Sequence, residues 1–163
     1  MEIGIPPLPS WAGAHPLIVH LPLGALAVVP LLIILGLIVP QCGRAFWWSA
    51  LALMAVGTVG AWVAVESGHA AWEVALKSGE AGEVLERHEE LAELTRNAFT
   101  VLTGLYAAML LGPVVAKKEL SWKANWGMQV PFLVLYAAGL LILANTGHEG
   151  ARAVHEFSVL SIM

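Results

Sequence analysis

PLIVHLPLGALAVVPLLIILGLIV, from Pro16 to Val39, carries no Asp, Glu, Lys or Arg. A helix needs about 20 consecutive apolar residues to cross the hydrocarbon of a bilayer, and this run is longer than that. Lipid offers the backbone no hydrogen bonds, so such a segment must satisfy its own amides as a helix. Pro22 and Pro30 fall inside it. Each removes one helical N–H and predicts a kink whose freed carbonyl a neighbouring helix must satisfy.

Three further runs follow the same logic. Pro40 to Arg44 reads as a tight connection, and a second span runs from about Phe46 to Glu66. A polar stretch from His69 to Arg96 comes next. Within it Ala70, Val74 and Ala75, then Val84, Leu85, Leu91 and Leu94, recur at helical spacing, while Gly79 and Gly82 interrupt. The second helix is therefore expected to continue to about Lys77 and the third to begin near Glu83. The third span covers about Asn97 to Ala116 and the fourth about Gly127 to Ala144, and the tail HEGARAVHEFSVL fits a continuing amphipathic helix. The expected architecture is an all-α integral membrane protein, a single domain over 1–163. It is an antiparallel four-transmembrane-helix bundle, with helices two and three extended on the outer side.

Composition agrees. The chain is 58% hydrophobic and only 12% charged, well outside the range of soluble domains. One cysteine, Cys42, excludes an intramolecular disulfide and the C-x-x-C-H run of covalent c-type haem. Residues 1–10 hold no Lys or Arg, so no secretory signal is expected and the first span should be retained. The short loops around Arg44 and around Lys117, Lys118 and Lys123 are densely basic. Lys77, Arg87, Arg96 and Arg152 are spread over longer segments of the other side. The positive-inside rule then puts the short loops in the cytoplasm and both termini outside, periplasmic in a bacterial inner membrane. Trp47, Trp48, Trp122 and Trp126 mark the inner boundary, Trp11 and Trp72 the outer one, and Trp62 alone is mid-span, where bundle packing is expected. With a net charge of −4 and no basic face, nucleic-acid binding has no support.

Four antiparallel spans bring all six histidines to one end: His15 and His20, His69, His88, His148 and His155. Imidazole is the commonest metal and haem ligand. His15 and His20 would point about 140° apart on a straight helix, so they share a face only if Pro16 bends the start. His148 and His155 would share a face within about 20°, and Gly147 and Gly150 allow a flat ligand or a backbone close to His148. Arg152 and Arg96 are candidates to pair with haem propionates. Glu66, His69 and Glu73 form one helical stripe and offer a non-haem site for copper, zinc or iron. Only one E-x-x-H unit is present, short of the two that a di-iron bundle uses. No H-E-x-x-H, G-x-S-x-G, Walker or dinucleotide fingerprint occurs. Eleven of the twelve glutamates lie on the histidine side, which fits a solvated helical hairpin or a surface for a basic partner.

The His-Pro-x-x-x-His-x-Pro core of HPLIVHLPLGALAVVPLL, His15 to Pro22, resembles the opening of a family of bacterial four-span membrane domains catalogued as domain of unknown function 2231. The closing TGHEGARAVHEF resembles that family's tail. Matching positions are His15, Pro16, His20, Pro22, Gly147, Gly150, Val154 and His155. Glu149 stands where glycine is usual, and Glu156 replaces the glycine after the histidine. The resemblance implies a polytopic membrane domain often found beside cytochrome or other redox modules, and it carries over no catalytic residue. The leading expectation is thus a membrane electron-transfer protein or subunit holding b-type haem. Its ligand pool is His20, His69, His148 and His155, then His88, then His15. A non-haem His and Glu site is one alternative. A cofactor-free accessory subunit of a larger respiratory or photosynthetic membrane complex is the other.

Overall fold

The computed structural model describes residues 9–75 and 79–159. The proline-rich start at 1–8, Lys77 and residues 160–163 lie outside the described residues. Among the described residues five helices follow one another: α1 (Trp11–Ile18), α2 (His20–Ile38), α3 (Gly43–Val74), α4 (Glu80–Val115) and α5 (Trp122–His155). A 3-10 turn over Pro40–Cys42 joins α2 to α3. No strand occurs among the described residues. With α1 and α2 counted as one span, four helices among the described residues are long and apolar enough to cross a membrane. The protein is an all-α, multi-pass membrane bundle whose helices contact lipid. α2 packs on α3, α3 on α4 and α4 on α5, and α2 closes the ring against α5.

The prolines in the deciding stretch act differently. Pro22 has no N–H for the Ile18 carbonyl, and its ring crowds that carbonyl. The hydrogen-bond ladder is interrupted there, with α1 ending at Ile18 and α2 opening at His20, while Val19 between them keeps helical φ and ψ. Pro30 leaves α2 intact. The Leu26 carbonyl, which would have accepted the N–H of residue 30, takes the Tyr136 hydroxyl of α5 at 2.9 Å. A backbone defect in one span thereby becomes a tie to another.

The core along the spans combines Leu26, Val29 and Ile33 of α2, Ala50 and Met54 of α3 and a run of α4–α5 aromatics. Phe99, Tyr106, Phe132 and Tyr136 interlock with ring centroids 4.6 to 5.9 Å apart. Trp47, expected in the inner aromatic belt, is instead buried against Gly36 and stacks on Trp122. Trp62, expected to pack within the bundle, joins α3 to α4 at its surface. It is 44% exposed, donates to Thr100 Oγ1, and carries the Arg96 guanidinium over its ring.

Helix lengths exceed the bilayer. At 1.5 Å per residue the 36 residues of α4 extend about 54 Å, against a hydrocarbon core of about 30 Å. The excess lies at the histidine end, because every charged residue of α4 falls between Glu80 and Arg96. Helix α4 starts at Glu80, one helical turn before the expected Glu83. Helix α5 runs unbroken past Ala144 through Gly147 and Gly150 to His155. In this extension Val84, Ala153 and Val159 form a second apolar cluster.

Candidate functional site

At the histidine end the helices diverge around a cavity of about 440 Å³. Its walls are mostly apolar, with Ala61, Ala64 and Val65 of α3 and Leu143 of α5 at the bottom. Five of the six histidines line it: His15, His20, His69, His88 and His155. His15 and His20 both line it, five residues apart along the first span. His148 is the exception. It is exposed and does not line the cavity, so His148 and His155 do not act as a facing pair.

His15 and His88 are held most firmly. His15 Nδ1 lies 3.0 Å from Ser67 Oγ, and the Ser67 hydroxyl donates its proton to the Ala64 carbonyl at 2.9 Å. The Ser67 oxygen is therefore the acceptor, and His15 donates through Nδ1–H. His88 Nδ1–H donates to the Thr146 carbonyl at 2.9 Å. Both neutral rings carry their remaining lone pair on Nε2. Their centroids are 6.3 Å apart, with the planes at 75°. Each ring packs over a glycine. A Cβ at Gly68 would fall 3.1 Å from His15 Cε1, and one at Gly150 would fall 2.9 Å from His88 Cε1. The close approach that Gly150 permits is to the His88 ring.

The supporting residues were not evident in the sequence. Thr146 lies against Thr95, Oγ1 to Oγ1 at 2.7 Å, and so fixes the α4–α5 spacing beside His88. Glu149 is buried between Arg152, at 2.9 Å, and Arg87, at 3.5 Å. Its place beside Gly150 hinted at a departure from a glycine-rich tail, but only the fold reveals its two arginine partners.

The remaining candidates are engaged elsewhere. His69 Nε2 faces Glu89 at 3.5 Å and Glu93 at 3.9 Å across the α3–α4 seam. Glu66 and Glu73 are exposed, and neither lines the cavity. Among the described residues no three His, Cys, Asp or Glu side chains converge to hold a metal ion. Arg96 sits over Trp62 and pairs with Glu93. Arg152 pairs with Glu149 and Glu156. Neither arginine lines the cavity. His20 Nδ1–H turns back onto the Pro16 carbonyl at 2.6 Å.

Comparison of the chain with protein-family models, curated proteins and solved structures gives no match.

Proposed function

We propose that this chain is a membrane electron-transfer protein, or the electron-transfer subunit of a larger complex, that holds b-type haem between His15 and His88. One observation carries the reading. Two imidazoles from separate helices are each pinned through Nδ1–H to a protein acceptor, with Nε2 left as the free ligand atom. Ligating histidines are characteristically oriented this way by a hydrogen bond from the second ring nitrogen. Their ring centroids are 6.3 Å apart, near enough for both imidazoles to reach one bound group. His15 and His88 both line the mostly apolar cavity, so a porphyrin held by them would sit within it.

A haem takes only one or two protein ligands, because the porphyrin supplies four nitrogens. Bare copper or zinc needs three or four. The donor set at the cavity therefore favours haem over the Glu66, His69 and Glu73 alternative. When bound, haem supplies one-electron exchange. The chain's own part is to orient the ligand rings through Ser67 and Thr146 and to wall off water with α3 and α5. The density of Lys and Arg in the two short loops supports a cytoplasmic membrane in which the histidine end faces outward. There a soluble or membrane redox partner could exchange electrons with it.

The test is absorption of the purified chain, oxidised and dithionite-reduced. A Soret band with sharp reduced α and β bands is expected, lost in both His15→Ala and His88→Ala. A featureless visible spectrum from protein made with ample haem, or full retention in both variants, removes the assignment.

A further inference from the structure

The cavity has a mouth, and its position follows from which lining residues are exposed. The α3 and α4 residues that line it are all buried or half-buried. The exposed lining residues are Pro16 and His20 on one side and Ala151, Val154 and His155 of α5 on the other. Among the described residues α1 packs on α3 and α2 and forms no packed interface with α5. The opening is therefore lateral, between the α1–α2 junction and the end of α5. It is flanked by two histidines, while Glu89, the one carboxylate in the lining, belongs to the α4 wall.

Resting on the haem reading, we infer that His20 and His155 hold the carboxylates of the bound group at this lateral mouth. Anionic groups cannot remain in an apolar cavity without partners. Arg96 and Arg152 do not line the cavity and are already paired with carboxylates. On the α3–α4 side Glu89 and Glu93 face His69 and would repel a further anion. The mouth offers two exposed cavity-lining imidazoles, His20 and His155. His20, with Nδ1–H committed to the Pro16 carbonyl, presents Nε2 as its remaining polar atom. When protonated there, it donates a charge-assisted hydrogen bond to a carboxylate. The inference assigns a recognition role to two histidines that are too exposed to serve as the buried axial pair.

Ferric haem and its dimethyl ester, titrated into the purified full-length chain and followed by Soret absorbance, separate the carboxylate contribution from everything else. The wild-type chain should prefer haem over the ester by roughly tenfold or more, the scale of one or two charge-assisted hydrogen bonds. In H20A/H155A the preference should vanish while affinity for the ester is unchanged, and H148A should keep the wild-type preference. Should the double variant bind neither form, H155A alone, altered at an exposed helix end, should lose part of the preference. Retention of the full preference in H155A and H20A/H155A, or no preference in the wild type, overturns the inference. Binding of neither form by the wild type overturns the haem reading itself.

Discussion

At the scale of single residues, the site depends on missing side chains as much as on present ones. Gly150→Ala would drive a Cβ to 2.9 Å from His88 Cε1 and 3.2 Å from Nδ1. Overpacking of this kind costs about 1–3 kcal/mol. We expect a lower thermal midpoint and a displaced His88 ring and, under the proposed haem function, weaker haem binding. Gly104→Ala is the control, because nothing lies within 4 Å of the added carbon. Equal behaviour of the two variants would mean that His88 does not need the space. Ser67→Ala removes the acceptor of His15 Nδ1–H and should cost about 1–3 kcal/mol for the donor left unmet. An unchanged midpoint in a thermal melt would contradict that pairing. The histidines were legible in the sequence as a group, and so was the permissiveness of Gly150. Which two rings face each other was not. That choice depends on Ser67 and Thr146, residues 52 and 58 positions away in the chain.

At the scale of elements, α2 is shaped by its prolines. Pro30 frees the Leu26 carbonyl and Tyr136 claims it. Tyr136→Phe should therefore destabilise the bundle by about 1–3 kcal/mol, the cost of an unmet buried acceptor. In a Pro30→Ala background the alanine N–H can serve Leu26, and the cost of Tyr136→Phe should shrink. A double-mutant cycle on thermal or denaturant unfolding measures that coupling, and additive effects would disprove it. Pro22 acts differently, leaving the Ile18 carbonyl without its helical partner at the junction of α1 and α2. The existence of helices was readable from apolar runs and their lengths. Their far ends were less so. Gly147 and Gly150 look like helix breakers in isolation, yet α5 passes through both. Burial against α4 and the buried Glu149 between Arg87 and Arg152 outweigh the intrinsic preference of glycine.

At the scale of the whole molecule, one end is apolar with short basic loops and the other carries the polar extensions and the cavity. Cys42, the single cysteine, is exposed at the short-loop end. With that end cytoplasmic, a membrane-impermeant thiol reagent should spare Cys42 in intact cells and label it in inverted vesicles. Labelling from outside would reverse the topology and move the cavity to the cytoplasmic face.

The sequence alone determined that the chain is a helical membrane bundle of four spans with its histidines at one end. Those properties depend on hydrophobic run length, charge placement and the parity of crossings, all of which are local or additive along the chain. Only the tertiary structure decided that His148 faces away, that His15 and His88 form the close pair, that Arg96 and Arg152 are already paired, and that the cavity opens between α1–α2 and α5. Those properties depend on helix rotation. The rotation of a helix about its axis is set by what it packs against, and no run of neighbouring residues encodes it.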